Sequence, residues 1–187
     1  MNLPNKLTLL RIALVPVFIA CFFVPISWTH LLAAIVFLIA YATDIMDGRY
    51  ARSHNIVTTF GKLMDPMADK LLMSAAFIML VQEGLVSAVV AIIIIGREFI
   101  ISAFRMVAVG TGNVIAANWL GKTKTVTQCI AVAMLLLLQT MEQLFGSGLI
   151  FAVYHVATYG LLYLSVLFAV WSALDYILKN KSSIRFD

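Results

Sequence analysis

The stretch D-I-M-D-G-R-Y-A-R-S-H-N-I-V-T-T-F-G-K-L-M-D-P-M-A-D runs from Asp44 to Asp69 and sets four aspartates, Asp44, Asp47, Asp65 and Asp69, between long apolar runs. Carboxylates beside sequence that suits hydrocarbon are costly to desolvate, and in a bilayer protein they mark a functional site. Asp44 and Asp47 are spaced i,i+3, while Asp65 and Asp69 are spaced i,i+4, so each pair shares one face of a helix. A connection from about Arg52 to Phe60 turns the chain back and brings the two pairs to the same end. Four like charges gathered there need cations. Hard oxygen ligands suit Mg2+ or Mn2+, and there is no Cys or His cluster in the sequence to recruit zinc.

Outward from this stretch, the composition sets the class. Of 187 residues, 63% are hydrophobic and 12% charged, with a mean hydropathy of +1.01. A soluble globule of this size could not hide so much apolar surface. The apolar runs Leu7–Phe23, Leu31–Tyr41, Leu71–Val81, Leu85–Ile95, Val126–Leu138 and Leu149–Val170 predict an all-α integral membrane protein. Six transmembrane helices are expected near 7–24, 30–50, 61–81, 85–107, 121–141 and 148–178, in a single membrane-embedded domain over 1–187. The shorter runs reach spanning length by continuing into helix ends that carry polar residues. The first run contains Pro16 and ends in the bulky Cys21-Phe22-Phe23, so it reads as a span and not as a cleaved signal peptide. Cys21 and Cys129 are too few and too distant in sequence for a disulfide framework, and read as small buried hydrophobes.

The charges fall on alternate connections. Val24–Thr29, Gln82–Gly84 and Glu142–Gly148 contain no lysine or arginine, whereas all 13 basic residues lie towards the other ends of the spans. The positive-inside rule then puts both termini, and the aspartates, on the cytoplasmic side of the cell membrane. Concentrating the +4 formal charge on that face favours anionic headgroups and phosphorylated substrates. No basic surface is left over for nucleic acid. Trp28 suits an interfacial anchor. His30 and His155 have no partner at metal-ligand spacing.

Each element of the aspartate stretch also has a plainer reading. Asp47 suits an ion pair with a neighbouring arginine, Asp65 before Pro66 suits a helix N-cap, and Gly48 or Gly61 suits close helix packing. Arg52 is the guanidinium nearest the carboxylates and suits a phosphate clamp. A second polar set follows: G-R-E-F-I-I-S-A-F-R supplies Arg97, Glu98 and Arg105, and G-K-T-K-T supplies Lys122 and Lys124, with Lys62 beside the aspartates. Arg97 and Arg105, eight residues apart, lie about 80° apart around an ideal helix. Pairing with Glu98 is the plain structural reading. The basic residues outnumber the acids left once metal occupies the aspartates, which points to a second phosphate.

D-x-x-D-G-x-x-A-R, then eight residues, then G-x-x-x-D-x-x-x-D resembles the signature of the CDP-alcohol phosphatidyltransferases. It is matched without gap or substitution by Asp44, Asp47, Gly48, Ala51, Arg52, Gly61, Asp65 and Asp69. The resemblance implies the CDP-alcohol phosphotransferase fold, six transmembrane helices with a short N-terminal interfacial segment, and a homodimer. It also implies transfer of a phosphatidyl group from a CDP-linked donor to a hydroxyl, with release of CMP. Asp44, Asp47, Asp65 and Asp69 would hold two Mg2+ or Mn2+ ions, with Asp69 also taking the acceptor's proton. Gly48, Ala51, Arg52 and Gly61 would cradle the donor, joined by Asn5 and Thr8 from the opening P-N-K-L-T-L-L-R segment. R-E-x-I-I-S-x-x-R followed by W-x-G-K-x-K-T is similar to the branch of the family that makes phosphatidylglycerophosphate. That similarity implies CDP-diacylglycerol as donor and sn-glycerol 3-phosphate as acceptor, with Lys62, Arg97, Arg105, Lys122 and Lys124 near the acceptor phosphate. Two alternatives stay open on the sequence: a family member with another acceptor, such as phosphatidylglycerol in a cardiolipin synthase, and a divalent-cation transporter.

Overall fold

The computed structural model describes residues 3–25, 28–53, 59–110 and 119–180, and within these the side chains of 3–6, 44–53, 59–66, 105, 107–110, 119–120, 122 and 179–180 lie outside the description. The described chain is six helices: α1 (Leu3–Cys21), α2 (Thr29–Ser53), α3 (Thr59–Gln82), α4 (Ala88–Gly110), α5 (Trp119–Phe145) and α6 (Leu149–Asn180). Each expected span corresponds to one helix. The short connections make successive helices antiparallel, so the N-terminal ends of α1, α3 and α5 share one end of the bundle with the C-terminal ends of α2, α4 and α6.

The helix ends away from the aspartates are built by local chemistry. At the end of α3, Gly84 adopts φ 71, Leu85 N donates to Leu80 O at 2.9 Å and Gly84 N to Val81 O at 3.0 Å. This is a Schellman cap, which requires the left-handed conformation glycine tolerates best. Ser87 then caps α4, its Oγ accepting from Val89 N at 3.3 Å. Gly146, at φ 59, ends α5 with its N donating to Glu142 O at 2.8 Å. The expected 142–148 connection is therefore mostly helix, because Glu142 and Gln143 are polar but helix-compatible and only Gly146 breaks the ladder.

The opening Pro4–Arg11 segment is helical and continuous with the apolar run, in one helix from Leu3 to Cys21. Pro4 sits in the first turn, where its missing N–H costs nothing, and no breaker separates Asn5 from the apolar run.

The core lies where α1, α2, α3 and α5 meet. Phe18, Phe37, Phe77, Leu80, Leu135 and Leu136 are fully buried there. Phe18 meets the Phe22 ring edge-on at 5.3 Å and Phe37 at 6.1 Å, within the favourable range for aromatic pairs. At the end remote from the aspartates, His30 of α2 lies 3.3 Å from Glu83 beyond α3. Tyr159 of α6 donates to Leu85 O at 3.0 Å and Tyr154 to Met134 O at 2.8 Å, pinning α6 to the α3–α4 turn and to α5.

Much of the described outer surface is also apolar. Along α6, Leu149, Val153, Val156, Leu167, Trp171 and Leu178 are all more than half exposed, as are Val89, Ile92 and Met106 of α4. Thr123–Phe145 and Leu149–Leu178 are long and apolar enough to cross a bilayer, and Leu7–Cys21 and Thr29–Thr43 are shorter apolar stretches. A helix that is apolar on its exposed face needs hydrocarbon or another apolar surface around it. These helices are those of a membrane protein.

Candidate active site

All four signature aspartates fall at the same end of the bundle, Asp44 and Asp47 on the last turns of α2, Asp65 and Asp69 on the first turns of α3. Helices α2 and α3 pack against each other, as the reversal between them predicts. The side chains of Asp44, Asp47 and Asp65 lie outside the described residues, as do those of Asn5, Gly48, Ala51, Arg52, Gly61, Lys62, Arg105 and Lys122. Asp69 is described. It is half-buried and engaged by neighbours.

A small pocket opens beside it, lined by Asp69, Lys70 and Met73 of α3, Glu98 of α4, and Lys124, Thr125 and Gln128 of α5. Three helices thus contribute to one concavity. Lys124 and Gln128 are one turn apart on α5 and so share a face. Asp69 lies within electrostatic reach of Lys124. The structure therefore joins the last aspartate of the signature to a residue of the second basic set.

Glu98 organises that set. Its Oε1 accepts from Arg97 Nη1 at 3.1 Å and also from Lys124 Nζ. Arg97 extends the network to α6, where Nη2 donates to Ser172 Oγ at 2.7 Å. Ser172 in turn donates to Ala169 O at 3.1 Å. Lys124 is buried, and Arg97 and Glu98 are 13% and 19% exposed at their side chains. Buried charges of this kind persist only when paired and hydrogen-bonded. The plain structural reading of Arg97, pairing with Glu98, thus describes its geometry, and it holds for Lys124 too. Two cations share one carboxylate, so the network retains one net positive charge next to the pocket.

At the N-terminal end, Thr8 and Arg11 of α1 are fully buried, and neither lacks a partner. Arg11 counted in the sequence only as one of the one-sided basic residues, yet it is among the largest fully buried side chains. Gln128 and Ser172 carried no signal on their own. Gln128 becomes visible only through its i+4 relation to Lys124, and Ser172 only through the packing of α4 on α6.

The donor chemistry fits Mg2+ or Mn2+. Two antiparallel, packed helices each supply a carboxylate pair at one end, and those pairs contain no sulfur or imidazole.

Comparison with known proteins gives the same picture over almost the whole chain. The family model for CDP-alcohol phosphatidyltransferase matches residues 1–171. A Bacillus subtilis protein named CDP-diacylglycerol–glycerol-3-phosphate 3-phosphatidyltransferase is 45% identical, covering 98% of this chain and 97% of its own length. Proteins of the same name from Escherichia coli K12 and Haemophilus influenzae are 37% and 35% identical, covering 94% and 98% of this chain and 93% and 95% of their own. The aspartate signature, the helical bundle that carries it and these near-full-length matches agree: the chain belongs to the CDP-alcohol phosphatidyltransferase family.

Proposed function

We propose that the protein transfers the phosphatidyl group of CDP-diacylglycerol to sn-glycerol 3-phosphate, giving phosphatidylglycerophosphate and CMP. The observation that carries the reading is the shared pocket of Asp69, from the family signature, and Lys124, from the second basic set. Relatives named for this reaction match nearly end to end. The net positive charge left by Arg97, Lys124 and Glu98 suits a phosphorylated acceptor better than a neutral lipid alcohol.

In this reading Asp44, Asp47, Asp65 and Asp69 hold two Mg2+ or Mn2+ ions, which when bound neutralise the donor diphosphate and the departing CMP. Gly48, Ala51, Arg52 and Gly61, with Asn5 and Thr8, bind the cytidine diphosphate portion. Lys62, Arg97, Arg105, Lys122 and Lys124 face the acceptor phosphate, Arg97 acting from within its pairing with Glu98. The primary C1 hydroxyl of the acceptor, the less hindered nucleophile, attacks the phosphorus that bears diacylglycerol. A new P–O bond forms, the bond to CMP breaks, and CMP leaves with the electron pair. Asp69 accepts the hydroxyl proton on a carboxylate oxygen as the bond forms. Direct displacement needs no covalent intermediate.

All six helices span the membrane in this reading, as a single catalytic domain. Both termini and the aspartate end face the cytoplasm, following the one-sided distribution of lysine and arginine. The donor's acyl chains stay in lipid while its diphosphate reaches the interface, and the soluble acceptor arrives from the cytoplasm. The exposed apolar faces of α4 and α6 meet lipid or a second copy in a homodimer.

The test is incorporation of labelled sn-glycerol 3-phosphate into lipid by the purified protein in CDP-diacylglycerol vesicles with Mg2+. A phosphorylated lipid product formed with glycerol phosphate, and not with phosphatidylglycerol, serine or inositol phosphate, is expected. Product formed only with one of those others would overturn the acceptor. Cation uptake without any lipid product would favour a transporter.

A further inference from the structure

Gln128 presents a buried amide without an evident structural task. It is 1% exposed on α5 and lines the pocket one turn beyond Lys124. Its Oε1 is fully buried and finds no hydrogen-bond partner among the described residues. Leaving a buried carbonyl unpaired is costly, and replacing it by an apolar group of the same shape would be nearly neutral if nothing ever bonded to it. Its surroundings sharpen the point: Cys129 and Ala131 follow in the packed core, where methionine or leucine would serve for packing alone. The residue that carries it lines the same pocket as Asp69.

The chemistry of the missing partner follows from the atom. A carboxamide oxygen accepts and does not donate, so it does not recognise phosphate oxygens, which are acceptors themselves. It calls for an O–H or N–H from a ligand. The acceptor in the reaction proposed above has two hydroxyls, and the reacting C1 hydroxyl gives its proton to Asp69. The secondary C2 hydroxyl is left without an assigned contact.

Resting on that reading, we propose that Gln128 is a specificity residue: its Oε1 accepts a hydrogen bond from the C2 hydroxyl of sn-glycerol 3-phosphate and so orients the C1 hydroxyl towards Asp69. The acceptor is then held at its phosphate by the basic set and at its secondary hydroxyl by Gln128. Two such fixed points set the orientation of a three-carbon chain, and a site built around a substrate hydroxyl rejects the analogue that lacks it.

The experiment compares sn-glycerol 3-phosphate with 3-hydroxypropyl phosphate, which lacks only the C2 hydroxyl, using full-length protein in CDP-diacylglycerol vesicles. The wild type is expected to prefer glycerol phosphate in kcat/KM by at least about tenfold. Gln128→Met, close in shape but unable to accept this bond, is expected to remove most of that preference. It should lower kcat/KM for glycerol phosphate by about tenfold while leaving that for 3-hydroxypropyl phosphate, and the KM for CDP-diacylglycerol, within about twofold. An equal loss with both acceptors would show that Gln128 only packs, and would overturn the proposal. So would a wild-type preference below about threefold, a measurement that needs no variant to fold. Failure of the wild type to use either phosphate, with lipid product from a different alcohol, would overturn the reaction itself and this inference with it.

Discussion

Replacing Glu98 with leucine removes the one carboxylate that Arg97 and Lys124 share. The Arg97–Glu98 contact is 3.1 Å, which at an effective dielectric of about 20 corresponds to roughly 5 kcal/mol of attraction before desolvation is subtracted. Lys124 makes a second contact to the same oxygen and is 2% exposed, so little water is available to replace the lost anion. Breaking a buried pair by removing one partner typically costs about 3–5 kcal/mol. Taking that range, the thermal midpoint of Glu98→Leu in detergent should fall by on the order of 10 °C. Glu98→Gln, which keeps an acceptor oxygen but no charge, should fall less. A double-variant cycle isolates the cause. Combined with Lys124→Met, the leucine variant should lose less than the sum of the two single losses, by at least about 1 kcal/mol. Thermal unfolding followed by tryptophan fluorescence supplies the numbers. A Glu98→Leu shift of only a degree or two, or strictly additive losses, would refute the claim that Glu98 holds two buried cations.

Other consequences can be checked in the same preparation. Asp69→Asn should leave the fold intact but cut CMP release by at least about 100-fold, since in the proposed reaction Asp69 is both a metal ligand and the proton acceptor; circular dichroism checks the fold and a turnover assay the rate. Chelation with EDTA should abolish turnover, and Mg2+ or Mn2+, but not Ca2+, should restore it, as measured by CMP release. Gly84→Ala should destabilise by about 1–2 kcal/mol through backbone strain alone, because φ there is 71 and no atom lies within 4 Å of the added methyl. Phe77→Ala, at a fully buried position of α3, should cost about 3–5 kcal/mol in thermal or denaturant unfolding.

Much of the helical framework was legible because the signal was long and apolar. Leu149–Val170 admits no other reading than a buried or lipid-facing helix, and α6 contains it. Boundaries were less legible where polarity and helix propensity disagree. Glu142 and Gln143 look like loop residues yet stay helical until Gly146. At the site, the aspartate spacing fixed which helix ends must meet, and α2 and α3 do pack together with those residues at one end.

What spacing cannot disclose is which partners long side chains choose. Glu98 had several basic residues as candidate partners along the sequence or across the bundle, and among the described side chains it takes Arg97 and Lys124 together. Arg11 sat in the count of one-sided charges, but burial in the bundle gives it a different environment. Gln128 is hidden in an apolar run, where one amide among alanines, valines and leucines carries no period of its own. Only the convergence of α3, α4 and α5 gives it a pocket to face.

The most direct test of the central claim is CMP release by the purified protein in CDP-diacylglycerol vesicles, measured with Mg2+ and with or without sn-glycerol 3-phosphate. The account predicts release that requires both, in one-to-one ratio with phosphatidylglycerophosphate formed. Release that is independent of glycerol phosphate, or no release from folded, metal-loaded protein, would contradict it.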